Sequence, residues 1–122
     1  MKKILWIEDD SRRLNLMVRP LIDAGYTVDT TITLLETLNI FETRKNEYDL
    51  ILLDILIPVG EYVDETENHY GEFTGLYLLK KLRSMGVTTP VVIFSVVAES
   101  DLGDISDLGV GRVLLKARVL PD

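Results

Sequence analysis

The chain has 122 residues, 47% of them hydrophobic, enough for one compact domain with an adequate core and too few for a second. Its net charge of −7 disfavours nonspecific binding to nucleic acid or to an anionic membrane surface, both of which would be repelled. Cysteine is absent, which excludes disulfides, thiolate metal sites and cysteine nucleophiles.

The N-terminal stretch MKKILWI is basic and then apolar, but Glu8, Asp9 and Asp10 end the apolar run after residues 4–7, too soon for a signal sequence. A cytoplasmic protein without a membrane span is expected. Residues 4–7 have the length of a first strand, and Trp6 within them is expected in the core. Ser11 can cap a first helix whose Leu14, Met17, Val18, Leu21 and Ile22 follow helical spacing, with Gly25 as its stop. Pro20 falls inside that helix and is expected to kink or split it. A second strand at 26–30 precedes a second helix over 33–46 carrying Leu34, Leu35, Leu38 and Phe41. The third strand, 50–53, lies in YDLILLDILIP, where the apolar run stops at a carboxylate, Asp54.

Between Pro58 and Thr74 lies VGEYVDETENHYGEF, far longer than the usual two to six residues of such a connection. Residues 58–79 hold no lysine or arginine, while Glu61, Asp64, Glu65, Glu67 and Glu72 are all acidic. This insertion, at about 59–73, is either a solvated loop or, through Tyr62, Tyr70 and Phe73, a lid or partner surface. His69, the only histidine, stands within it with no partner at metal-ligand spacing. A third helix follows over 74–84 with Leu76, Leu79 and Leu82, then a fourth strand at 91–94, a short or ragged helix over 101–108, and a fifth strand at 112–115. Several of the strands lack period-two alternation, as strands covered on both faces do. The alternation of strands and helices therefore predicts an α/β fold, a doubly wound parallel sheet in a single domain over 1–122.

In such a sheet, ligands sit beyond the carboxyl ends of the strands. Glu8 and Asp9 end the first strand, Asp54 the third, Ser95 the fourth and Lys116 the fifth, so all five can reach one rim. Three carboxylates held together repel one another unless a cation joins them, and an all-oxygen set with open positions suits Mg²⁺. Asp54 is then a candidate nucleophile toward phosphorus, with the cation, Lys116 and the Ser95 hydroxyl to take the three phosphate oxygens. Glu8, Asp9 and Asp10 count against a nucleotide or flavin site, which would offer phosphate a glycine-rich loop after the first strand.

On ILWIEDD, YDLILLDILIP, PVVIFS and GVGRVLLK, the sequence resembles the receiver domain of two-component response regulators. The resemblance implies a flavodoxin-like five-stranded parallel sheet of order 2-1-3-4-5. It implies Mg²⁺ held by Glu8 through water, by Asp9, by Asp54 and by the main-chain carbonyl of Leu56. It further implies that a histidine kinase or phosphotransfer protein passes a phosphoryl group to Asp54, with Ser95, Lys116 and the main-chain amide of Val96 contacting the phosphate. The domain would switch a partner interaction and catalyse only its own phosphorylation and dephosphorylation, with no turnover of an external substrate.

Four features depart from the family pattern. Val96 is β-branched where a small residue is usual, and is expected to narrow the approach to Asp54. Val113 replaces the aromatic residue that normally swings with the hydroxyl. Ala117 replaces the proline after the lysine, where a cis bond would cost about 2.5–4 kcal/mol. The sequence ends at Asp122, where a receiver continues into its last helix, and a sheet face left uncovered there would invite homodimerisation. An alternative is thus a pseudo-receiver, a protein-interaction module that keeps the acidic pocket and signals without phosphorylation. A hydrolase that passes through an aspartyl-phosphate would place a second acid two residues after the nucleophile, where this chain has Leu56.

Overall fold

The computed structural model describes residues 2–9, 11–45, 47–57, 73–95, 97 and 99–115, with 11–15, 17, 95 and 115 described in backbone only. Within them the chain runs β1 (Lys3–Ile7), α1 (Ser11–Asp23), β2 (Thr27–Thr31), α2 (Leu34–Thr43), β3 (Leu50–Leu53), α3 (Thr74–Ser84), β4 (Val91–Ser95) and β5 (Val110–Leu115). Two single 3₁₀ turns, Glu99–Asp101 and Ser106–Leu108, lie between β4 and β5, where a short helix is expected from the sequence. The five strands form one parallel sheet in the order β2-β1-β3-β4-β5, the flavodoxin-like arrangement.

The chain steps from β1 to β2 in one direction and from β3 to β5 in the other. Right-handed crossovers therefore put α1 on the face opposite α2 and α3. The strand registers sort the side chains accordingly. Leu5 pairs with Ile51, and Ile7 with Leu53, on the face covered by α2 and α3. There they join Leu34, Leu38 and Phe41 of α2 and Leu78, Leu79 and Leu82 of α3 in the main core. On the other face Trp6 is buried and meets Phe94 edge-on, their ring centroids 6.3 Å apart, so the expectation of a core tryptophan holds.

Local chemistry accounts for most boundaries. Thr33 caps α2: its hydroxyl accepts the Glu36 N–H at 3.1 Å, while the Glu36 carboxylate accepts the Ile32 N–H at 2.8 Å. The helix ends at Thr43 and not at Asn46 as its periodicity predicts, because Arg44 leaves helical geometry at φ −126° and ψ 42° while its N–H still bonds the Ile40 carbonyl. Asn46 itself lies outside the described residues. Gly25, at φ +99°, supplies the left-handed stop expected after α1.

For α1 the Ser11 cap and, of the two alternatives at Pro20, the split need correction. The helix already includes Ser11, one residue ahead of where a Ser11 cap would start it, and it is not split at Pro20. Pro20 stands in an exposed part of the last turns, where the carbonyl its missing N–H leaves unpaired can face solvent. β5 begins earlier than its apolar run suggests: Val91 pairs with Val110 but Val92 with Arg112, so Gly111 is an extra residue that bulges the edge strand. No helix among the described residues is long and apolar enough to cross a membrane. The insertion with His69, Tyr62 and Tyr70, and residues 116–122 where the last helix and an uncovered face are at issue, lie outside the described residues; Phe73, half-buried, packs against the main core.

Candidate metal and phosphoryl site

The strand order reverses between β1 and β3, so the crevice beyond their carboxyl ends is where such a sheet offers a site. The last rungs of the two ladders run one residue past each strand. The Glu8 N–H bonds the Thr31 carbonyl and the Asp54 N–H bonds the Ile7 carbonyl, both at 3.0 Å. Glu8 and Asp54 are thereby fixed by the sheet and buried, at 0% and 4% exposure, while Asp9 turns out to solvent. One carboxylate oxygen from each of Glu8, Asp9 and Asp54 lies within 4.8 Å of the others. Two buried carboxylates and an exposed one at that spacing make an oxygen-only cluster able to bind a metal, with the open side a hydrated divalent ion would require.

The Asp54 carboxylate is oriented locally. Its Oδ1 accepts the Leu56 N–H at 3.0 Å, and Leu56 itself is 43% exposed at the rim. Behind this segment the start of α3 is docked without a side chain between: the Gly75 N–H bonds the Ile55 carbonyl at 2.7 Å. The Thr31 corner under Glu8 is also tied. The Thr37 hydroxyl donates to the Thr33 carbonyl at 2.9 Å, which leaves the buried Thr31 hydroxyl to donate to it at 2.8 Å.

The structure thus brings together the Glu8, Asp9 and Asp54 carboxylates of the residues the sequence nominates, and sets the Leu56 amide against Asp54. The backbone of Ser95 ends β4 at the same rim; its side chain, and all of Val96 and Lys116, lie outside what is described, as does Ala117. Val113 is half-buried on β5, in register with Ile93, on the face of α2 and α3. Gly75 and the Thr31–Thr37 pair are positions that the sequence does not announce as part of the site. The available signal was a glycine in the first turn of a well-patterned helix, where alanine would be favoured by about 1 kcal/mol.

Residues 4–119 match the model of the response regulator receiver domain family. The transcriptional regulatory protein CiaR of Streptococcus pneumoniae is 34% identical over 104 residues, which span 85% of this chain and 38% of CiaR. The receiver domain of Francisella response regulator 1452 superposes with a TM-score of 0.74 at 25% identity, covering 96% of this chain and 85% of that one. The response regulator TrrA of Thermotoga maritima, solved in complex with Mg²⁺ and BeF, superposes with a TM-score of 0.70 at 24% identity, covering 95% and 87%. The chain belongs to the response regulator receiver domain family, a family of signalling domains. It spans well under half the length of CiaR.

Proposed function

We propose that this domain accepts a phosphoryl group on Asp54 from a histidine kinase or phosphotransfer protein, and that the change in charge selects a downstream partner. The observation that carries this is the convergence of the Glu8, Asp9 and Asp54 carboxylates within 4.8 Å at the switch point of the sheet. Their donor set fits Mg²⁺: Asp9, Asp54 and the Leu56 carbonyl would hold it directly and Glu8 through water. Mg²⁺, when bound, supplies charge neutralisation for the cluster and for the incoming phosphate.

The chain's own residues do the rest. A carboxylate oxygen of Asp54 attacks phosphorus while the bond to the donor nitrogen breaks, and the donor imidazole leaves with the electron pair. The Leu56 N–H on Oδ1 holds the carboxylate in one rotamer for this attack. Ser95, Lys116 and the main-chain amide of Val96 are assigned to the phosphate oxygens on the strength of their strand-end positions. Residues 1–122 act as a single receiver unit, with the acidic insertion at about 59–73 as its partner-facing feature.

Incubation with acetyl phosphate and Mg²⁺ should add one hydroxylamine-labile phosphoryl group, seen by intact-protein mass spectrometry and lost in Asp54→Asn. Added mass that persists in Asp54→Asn would move the acceptor elsewhere. BeF₃⁻ with Mg²⁺ is the matching non-covalent probe, since TrrA, of the same fold, holds that combination. The half-buried Val113, in place of a switching aromatic residue, favours a second outcome: a pseudo-receiver that takes neither phosphate nor BeF₃⁻ and signals through a constitutive surface.

A further inference from the structure

We propose that Gly75 is a positioning residue for the Asp54 carboxylate, acting through the single peptide plane between Ile55 and Leu56. The inference rests on the reading of Asp54 as the acceptor and names a residue outside the site that sets its geometry. A Cβ on Gly75 would lie 2.4 Å from the Asp54 carbonyl oxygen, 2.6 Å from the Ile55 Cα and 3.0 Å from the Ile55 carbonyl oxygen. All three are backbone atoms, so no rotamer change relieves the overlap. The close approach serves a hydrogen bond, from the Gly75 N–H to the Ile55 carbonyl at 2.7 Å.

The peptide that carries this carbonyl also carries the Leu56 N–H, which donates to Asp54 Oδ1 at 3.0 Å. A trans peptide is planar, with its C=O and N–H pointing in opposite directions. Pinning the carbonyl toward α3 therefore aims the N–H at the carboxylate. Both sides of the contact are packed: Leu78, Leu79 and Leu82 anchor α3, and Ile55 and Ile57 are buried in the same core, with Leu56 between them reaching solvent. A side chain at position 75 must therefore part the two backbones, which breaks the Gly75–Ile55 bond and frees the Ile55–Leu56 peptide to turn. That displacement takes the Leu56 N–H off the carboxylate and shifts the Leu56 carbonyl assigned to the metal.

The test compares wild type with Gly75→Ala by ¹⁵N-edited NMR and by Mg²⁺ titration, with Leu79→Ala as a destabilised control that leaves the plane alone. In metal-free Gly75→Ala, the Leu56 amide proton should move upfield and lose exchange protection, as a proton released from a charged acceptor does. Mg²⁺ affinity should fall about tenfold or more, the scale on which groups orienting a metal's ligands act. Leu79→Ala should lose stability with neither change. A folded Gly75→Ala with the wild-type Leu56 amide and wild-type Mg²⁺ affinity would overturn the proposal. If Gly75→Ala does not fold, wild type against Asp54→Asn decides: loss of the charged acceptor should move the Leu56 and Gly75 amides together, and an unmoved Gly75 amide overturns the link. A wild-type chain that takes no Mg²⁺ removes the metal reading alone, because both amide comparisons are made without metal.

Discussion

Tyr48 stands just ahead of β3, away from the carboxylates, and is the clearest case of a single buried polar atom answered by a partner. Its ring packs on Phe41, with centroids 5.8 Å apart, and its hydroxyl donates to Asp29 Oδ2 at 2.7 Å. Lys3 and Arg44 reach the same aspartate only at 3.9 and 3.8 Å from half-exposed positions, so the ion pairs add little beside the partly buried hydrogen bond. Burial, and then the bond to Asp29, push the Tyr48 phenol up to about 12. The folded chain keeps this proton after an unfolded chain, with its phenol near the ordinary value of 10.0, has released it. The contribution of Tyr48 is therefore intact below the unfolded value and is lost as pH rises toward the folded one. Tyr48→Phe should cost about 1–2 kcal/mol at neutral pH and flatten this alkaline loss, as urea denaturation across pH would read. A variant with the wild-type alkaline slope would show that another group carries it.

At the scale of elements, α3 is held at both ends by backbone contacts of different kinds. Its start leans on the peptide after Asp54, and its end is bound by one guanidinium. Arg83 donates to the carbonyls of Leu108 at 2.8 Å, Val87 at 3.0 Å, Thr89 at 2.8 Å and Gly109 at 3.4 Å. It thereby ties α3 to the approach of β4 and to the turn before β5. Burial lowers its pKa, but a guanidinium stays charged and its planar fork is what fits several carbonyls at once. The tie holds a segment with little helix of its own. Gly103 and Gly109 sit at φ +75° and +69°, and Asp104 takes both the N–H and the hydroxyl of Ser106, at 3.0 and 2.7 Å. Local bonds of that kind compete with a helix, which is why residues 101–108 form turns instead. Arg83→Lys keeps the charge and loses the fork. It should destabilise the domain by about 1–3 kcal/mol and speed amide exchange first in residues 106–110, as hydrogen exchange with mass spectrometry would resolve. Uniform loss of protection across the sheet would instead mark Arg83 as part of the global core.

For the whole molecule, the proposed cation couples the site to the stability of the sheet. Glu8 and Asp54 each extend a strand ladder, so a ligand bound across them holds β1, β2 and β3 together at their carboxyl ends. An ion that binds only the folded chain contributes about 1.4 kcal/mol at a tenfold excess over its Kd. Millimolar Mg²⁺ should therefore raise the melting temperature, and Asp9→Asn should abolish the rise; Asp9 is the informative position because it is exposed and carries no core packing. An unchanged wild-type melting temperature would count against the metal reading.

What the sequence alone determined rests on local periodicity and on the rim rule. Strand-length apolar runs and the Gly25 stop are decided within a few residues, and parallel connectivity then carries Glu8, Asp9 and Asp54 to one rim without any knowledge of contacts. The Asp54 strand and α3 were legible to the residue for the same reason. Tertiary structure decided what depends on residues distant in the chain. The close approach of Gly75 to Asp54 needs two backbones in contact, and the Leu108 and Gly109 carbonyls gathered by Arg83 lie 25 and 26 residues further along the chain. The bulge at Gly111 exists only relative to the register of β4. Propensity at Pro20 gave way to continuity of α1, because the cost of one missing hydrogen bond depends on whether solvent can reach the freed carbonyl, and exposure is a property of the folded chain.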